Sequence, residues 1–171
     1  MNSKIIWFTG LSGSGKTTLS NKLFKLLKKK NKKVIQIDGD KFRKKLNTDN
    51  SFTKKDIVNN NIQIINYCES IIKKYDFILV SVISPFLKTR KLARSLFKDN
   101  YYEIFVHCKL NTLIKRDTKD LYRKAKKKII INLIGYKSKI KYQKSNYSKI
   151  KINTDLNTIA KSVKIVLKKI L

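Results

Sequence analysis

Proline occurs once, histidine once, cysteine twice and glycine five times in a chain of 171 residues. So little glycine and proline excludes collagen-like and low-complexity architectures, which depend on them. Two cysteines, Cys68 and Cys108, supply no disulfide framework and no repeated metal-ligand spacing, which is the pattern of a reducing, cytoplasmic compartment. No apolar run reaches the roughly 18 residues that a spanning helix needs, and Met1 to Ile6 lead into a strand pattern rather than a signal-peptide core, so no membrane partner is expected. Hydrophobic residues make up 42% of the sequence, which excludes intrinsic disorder despite a 30% charged content. At this length one core and one domain, residues 1–171, are expected.

Acidic residues are also few, 11 against 41 lysines and arginines, for a formal charge of +30. Such a charge attracts polyanions. The cations are 36 Lys and only 5 Arg, alongside 24 Ile, 15 Asn and 3 Ala, which is the drift expected of a very AT-rich genome. Readers of phosphate and base edges favour the planar fork of arginine, and these lysines are spread over most of the chain. The expectation is salt-sensitive, nonspecific attraction and no specific nucleic-acid partner.

Ile5 to Thr9 form a short apolar run that stops at Gly10, as a buried parallel strand would. From Lys16 onward Leu19, Leu23, Leu26 and Leu27 share one helical face. Val34 to Ile37 read as a second strand, Phe77 to Ile83 as a third, Tyr102 to Val106 as a fourth and Lys149 to Ile152 as a fifth. Ser51 or Thr53 caps a predicted helix reaching about Lys74, with Ile57, Ile64, Ile65 and Cys68 facing inward. Further helices are expected over about Leu87–Phe97 and Leu156–Leu171. Strands alternating with helices define an α/β class, a doubly wound, mainly parallel sheet whose ligands sit at the strands' carboxyl ends. Residues 117–147 are the least regular, and residues 121–154 contain no Asp or Glu. They read either as a solvated basic loop or as a lid closing over phosphates.

Gly10-Leu11-Ser12-Gly13-Ser14-Gly15-Lys16-Thr17 matches G-x-x-x-x-G-K-[ST] between a predicted strand and a predicted helix, the setting of a P-loop. Bare glycines let the main chain turn its N–H groups onto phosphates, and the following helix adds its positive end. Gly10 to Thr18 are therefore the candidate ATP-binding residues, with Lys16 reaching the β- and γ-phosphates and the Thr17 hydroxyl binding Mg²⁺. Asp38 and Asp40 follow the second strand at the same edge of the sheet. One such carboxylate can help hold a metal's water shell, and the other can accept the proton of an attacking hydroxyl. The alternative is a helix cap beside a turn residue. No aspartate ends the third strand, where a Walker-B carboxylate usually stands, and this raises the case for Asp38 or Asp40.

In order and spacing, Trp7 to Thr18, Asp38-Gly39-Asp40 with Arg43, Ile83-Ser84-Pro85 with Arg90 and Ala93-Arg94, and Arg116-Asp117 with Leu121 to Ala125 resemble the adenylylsulfate kinases. The resemblance covers nearly the whole chain. It implies a P-loop nucleoside triphosphate hydrolase-type fold with a basic lid over about 117–147, and use of MgATP to phosphorylate the ribose 3′-hydroxyl of adenosine 5′-phosphosulfate in sulfate assimilation. It also implies Asp40 as the base near that hydroxyl, Asp38 as assistant to the metal and to Lys16, and Lys119 as a neutraliser of transferring charge. Arg43, Phe52, Asn60 and Ile83 match acceptor-site positions, and Ser84 matches a serine sometimes given a phosphoserine role. In-line transfer between two bound substrates needs only positioning and charge neutralisation, so a covalent role for Ser84 is not required. A homodimer is implied as well.

Departures from the family pattern fall on the acceptor side. Ile57 stands where the family has an arginine that grips the phosphosulfate, Ile62-Gln63 replace an arginine pair, and Leu133 replaces an aromatic that stacks on the acceptor base. A lost stack costs about 1–3 kcal/mol. Lid lysines or Tyr136 compensate for these changes, or the acceptor is another activated nucleotide, such as the cytidine diphosphoramidate of capsule modification. A non-catalytic nucleic-acid binder on a degenerate P-loop scaffold fits the charge but not the intact Lys16, Thr17, Asp38 and Asp40. His107, Cys68, Cys108 and Trp7 are expected to pack rather than react.

Overall fold

A computed structural model of the chain describes residues 3–45, 53–148 and 150–171. Its five strands, β1 Lys4–Thr9, β2 Val34–Asp38, β3 Phe77–Ser81, β4 Tyr101–His107 and β5 Ile150–Asn153, form one sheet in the order β2-β3-β1-β4-β5, and every pairing is parallel. Parallel neighbours require crossovers. Helix α1, Lys16–Lys29, makes the first, and α3, Lys54–Ile71, and α4, Leu87–Phe97, make the next two. Because β1 passes to β2 on one side while β3 crosses to β4 on the other, the crevice opens at the carboxyl end of β1, where ligands of such sheets bind.

Alternation along β1 explains why both faces are covered. Ile6 and Phe8 join Leu79, Ile104 and Val106 against Leu19, Leu23 and Leu27 of α1 and Val163 and Val166 of α7, Ile159–Ile170. Ile5 and Trp7 join Ile78 and Val80 against Ile64, Ile65 and Cys68 of α3 and Ala93 and Phe97 of α4. A strand buried on both faces reads as a continuous apolar run, the pattern of Ile5 to Phe8. Phe8 is fully buried, and truncating it to alanine would cost about 3–5 kcal/mol.

Helix α3 starts as its sequence predicts. Thr53 Oγ1 accepts the Asp56 N–H at 3.2 Å while the Asp56 carboxylate accepts the Thr53 N–H at 3.3 Å, a reciprocal capping box. Helix α7 is capped by Thr158 Oγ1, which accepts the Lys161 N–H at 3.2 Å, and begins three residues later than expected. Strand β3 ends at Ser81 rather than Ile83, because its neighbours' ladders run out at Asp38 and Phe8. Of the predicted fifth strand, Lys149 lies outside the described residues.

Three helices were not expected. Helix α2, Gly39–Lys45, follows β2 directly because Asp38 Oδ1 accepts the N–H groups of Asp40 at 3.1 Å and Lys41 at 3.3 Å. Helix α5, Leu110–Arg116, buries Leu113, and α6, Leu121–Lys126, lies inside the stretch read as irregular. The Asp117 carboxylate starts α6 by accepting the N–H groups of Tyr122 and Arg123 at 3.0 and 2.8 Å. Leu113, Tyr122, Ala125 and Leu133 form a third small core that packs Leu11 of the glycine-rich loop.

Candidate active site

The loop after β1 is shaped by glycines at two points of close approach. Gly10 has φ +144°, and a Cβ there would lie 2.0 Å from the Val106 carbonyl oxygen, so no side chain fits. Gly15, at φ +99°, occupies the left-handed position that starts α1, and its carbonyl accepts the Leu19 N–H at 3.0 Å. Between them Gly13, at φ +75°, is a further left-handed position. Ser14 Oγ is buried with no hydrogen-bond partner among the described residues. Such an orphan is costly unless a ligand completes it.

Lys16 is buried inside this loop and donates from Nζ to the Leu11 carbonyl at 2.8 Å. Burial lowers its pKa to about 8, the Lys119 charge adds to the fall, and Asp40 and Asp38 oppose it. A cation held this way is under-compensated and suited to an arriving anion. Thr17 Oγ1 donates to Asp38 Oδ2 at 3.0 Å, so Asp38 joins α1 to α2: one oxygen takes the hydroxyl and the other caps the short helix. The cap and the metal-assisting readings of Asp38 are therefore compatible.

Lys119 Nζ lies 2.5 Å from Asp40 Oδ2, both side chains being about half exposed. Burial pushes the Asp40 carboxyl up, but the Lys119 hydrogen bond and charge, with Lys16 and Arg43 behind them, hold it below the usual carboxylate range. Asp40 is thus ionised at neutral pH.

Two cavities meet at this pair. The first, of about 430 Å³, is lined by Ser12, Gly13, Gly15 to Thr18, Arg116 and Thr154. The second, of about 520 Å³, is lined by Arg43, Ile57, Leu121, Ile130, Leu133 and Ile134. Both share Ser12, Thr17, Asp38, Asp40, Val82, Ile83 and Lys119. The structure thus brings together most of the expected donor residues with Asp40, Arg43, Ile83, Leu133 and Lys119. Leu11 and Ser14 line a separate cavity with Phe105, His107 and Tyr142. Ser84 and Asn60 line none of these. Ser84 is fully buried with Oγ 3.3 Å from Thr89 Oγ1, and Asn60 is 6% exposed with its amide unpartnered among the described residues. Phe52 lies outside the described residues.

Arg116 and Thr154 had no assigned role in the sequence reading. Arg116 donates to Thr154 Oγ1 and to the Thr154 carbonyl, each at 2.9 Å, and Thr154 Oγ1 donates to the Ser14 carbonyl at 3.2 Å. The signal was the Arg116-Asp117 pair. The aliphatic wall of the second cavity carried none beyond Ile57 and Leu133. His107 stacks on Phe105, centroids 5.1 Å apart, and Cys68 is buried, so both pack as expected.

A glycine-shaped loop at the start of α1, with Lys16 and Lys119 lining the same cavity, fits a polyphosphate, and the Thr17 hydroxyl beside the Asp38 carboxylate fits a hard cation. Together with the parallel sheet, this defines the class as a P-loop kinase fold. A family model described as adenylylsulphate kinase matches residues 2–153, and the chain belongs to that family, whose members are phosphotransferases with an alcohol acceptor. The chain is 37% identical over 170 residues to the adenylyl-sulfate kinase of Prochlorococcus marinus, covering 99% of this chain and 84% of that one. With the cytidine diphosphoramidate kinase of Campylobacter jejuni it shares 33% identity over 169 residues, covering 99% and 97%. It is 40% identical over 135 residues to the bifunctional enzyme NodQ of Rhizobium meliloti, covering 78% of this chain but spanning only 21% of that longer protein. Among solved structures, the Mycobacterium tuberculosis APS kinase CysC in complex with AMPPNP and APS superposes with a TM-score of 0.86 at 29% identity, over 98% of this chain and 96% of that one. No described helix is long and apolar enough to cross a membrane.

Proposed function

We propose that this chain transfers the γ-phosphoryl group of ATP to the ribose 3′-hydroxyl of an activated nucleotide, with adenosine 5′-phosphosulfate as the first acceptor. The observation that carries this reading is the Asp40–Lys119 pair at the junction of the two cavities. The first cavity takes the donor and the second the acceptor. A carboxylate kept ionised by its neighbours stands ready to accept the hydroxyl proton. Lys119 then turns from Asp40 to the transferring phosphoryl group as negative charge moves toward it, and Lys16 holds the donor's β- and γ-oxygens. Thr17 and Asp38 would hold Mg²⁺, which would offset the negative charge of the phosphates. No cluster of three His, Cys, Asp or Glu side chains occurs among the described residues, and a magnesium site completed by phosphates and water needs none. Arg43, Ile83 and Leu133 contact the acceptor, joined by Phe52, while Asn60, buried and lining neither cavity, takes no direct part. Ser84 contributes through its main chain, and residues 117–147 act as the lid. A homodimer belongs to the same reading and is checked by sedimentation velocity.

A specific observation favours a second acceptor. The second cavity is walled by aliphatic side chains, with Ile57 and Leu133 where an arginine and a stacking ring would suit an adenosine phosphosulfate. Cytidine diphosphoramidate is therefore the second reading, and the relative from Campylobacter jejuni supports it. A coupled ADP-release assay with MgATP and both acceptors, with Asp40→Asn as blank, separates them. Turnover selective for the phosphosulfate supports the first reading, and turnover only with the cytidine compound replaces it by the second.

A further inference from the structure

Outside the two cavities two charged side chains among the described residues, Arg90 and Glu103, are almost completely buried. Arg90 of α4 is 1% exposed, and its guanidinium donates to the carbonyl oxygens of Ser84 and Gln143. Its Nε lies 3.3 Å from Glu103 Oε1 of β4, close enough to pair charge though not aligned as a hydrogen bond. Glu103 in turn accepts from Ser148 Oγ. Burial of such a pair is favourable only when its remaining donors and acceptors are used. Here they are used on two separate segments, the turn leading into α4 and the chain at the far end of the proposed lid.

Gln143 returns the hold. Its N–H donates to the Pro85 carbonyl at 2.8 Å, and its side-chain Oε1 accepts the N–H of Leu87 at 2.7 Å. Leu87 is the first residue of α4, and the preceding Phe86 has no side-chain oxygen with which to cap it. Gln143, far along the chain, thus supplies the cap that the helix lacks locally. Tyr142 adds a ring 5.1 Å from the Arg90 guanidinium and a hydroxyl 2.8 Å from Thr9 Oγ1, directly before the glycine-rich loop.

We propose that Gln143 is a positioning residue for the acceptor: by capping α4 from the far end of the lid segment, it fixes the spacing between the two walls of the acceptor cavity. One wall, Val82 and Ile83, runs directly into the Ser84–Leu87 turn that Gln143 grips, and the other, Ile130, Leu133 and Ile134, belongs to the segment that ends at Gln143. Tying the two together sets the cavity's width. The first cavity's loop is held by bonds that do not pass through Gln143: the Ser14 N–H donates to the Leu11 carbonyl at 3.3 Å, the Tyr122 hydroxyl to the Ser12 carbonyl at 2.9 Å and Thr154 Oγ1 to the Ser14 carbonyl at 3.2 Å. This inference rests on the reading of the second cavity as the acceptor site.

Gln143→Ala removes the cap while leaving the Arg90–Glu103 pair and the main-chain contacts of residue 143, and Gln143→Glu keeps an acceptor oxygen at the helix N-terminus, where negative charge is favoured. Steady-state kinetics with MgATP and the acceptor turned over by the parent protein are the test. In Gln143→Ala the acceptor KM rises about fivefold or more, as loss of one cap implies, while the KM for ATP stays within about twofold, and Gln143→Glu restores the parent value. A lower Tm with both KM values unchanged, or with both raised together, makes Gln143 a structural cap only and overturns the inference. Absence of phosphoryl transfer from the parent protein to either acceptor overturns the kinase reading, and this inference with it.

Discussion

The two cavities proposed for donor and acceptor meet at Asp40 and Lys119 but are built differently. On the first side the largest single contribution to the wall comes from one short stretch, residues 12–19, whose shape follows from glycines and from the start of α1, and the rest comes from the ends of β2 and β3, the chain around Arg116 and Lys119, and the start of α7. The acceptor side is assembled from α2, α3, the end of β3 and the chain beyond Arg116, segments far apart in sequence, and its surface is mainly aliphatic. A wall made by the main chain recognises phosphate in any nucleotide. A wall made by side chains can change its ligand by a few substitutions while the chemistry between the two stays in place.

That contrast can be broken or sharpened by substitution. The largest effect is expected from Lys16→Ala, which should lower phosphoryl transfer by about 10³ or more in an ADP-release assay while leaving the thermal melt intact or slightly raised, because a poorly compensated buried cation is removed. Asp40→Asn should lower kcat by about 10²–10⁴ with little change in the KM for ATP. Removing the cation beside Asp40 by Lys119→Met should lower kcat and also raise the Asp40 pKa, so the acid limb of the pH–rate profile moves to higher pH; an unmoved limb would mean that the pair is not formed in solution. On the acceptor side, Leu133→Phe should lower the KM for an adenosine acceptor by about 5–100-fold through base stacking and leave the KM for ATP unchanged.

The smallest effect is a proton. Lys16 titrates near 8 in the free protein, and phosphates would raise that value, so nucleotide binding at about pH 9 should take up a fraction of a proton, read by calorimetry in buffers of different ionisation enthalpy. The sign in stability follows from the same shift. Between about 8 and the model-peptide value near 10.4 the unfolded chain keeps the proton that the folded chain has lost, so the ligand-free protein gains stability as pH rises, and Lys16→Ala removes that gain.

The donor side was legible because its determinants are local: a strand that stops at Gly10, three glycines and a Lys-Thr pair fix both shape and chemistry within nine residues. Capping was legible for the same reason at Thr53, where the partner is Asp56. Helix α2 was not, because Asp38 read equally well as a ligand or as a cap, and the structure has it spanning both, with one oxygen on Thr17 and the other on the helix it starts. Helices α5 and α6 are short and rich in lysine, so their periodicity was thin; Leu113, Tyr122 and Ala125 become recognisable only once they pack beneath Leu11. The acceptor wall was legible as a set of departures, Ile57 and Leu133, but which aliphatic residues face one another is decided by tertiary contacts. The cap from Gln143 to Leu87 left no local trace at all.

The central claim is that phosphoryl transfer occurs to a ribose 3′-hydroxyl at the Asp40–Lys119 junction. Its most direct test is the phosphorus NMR spectrum of the product formed from MgATP and the acceptor that is turned over. The account predicts a new 3′-phosphomonoester signal that appears with the parent protein and is lost with Asp40→Asn. Phosphate found at another position, or product formed equally well by Asp40→Asn, would contradict it.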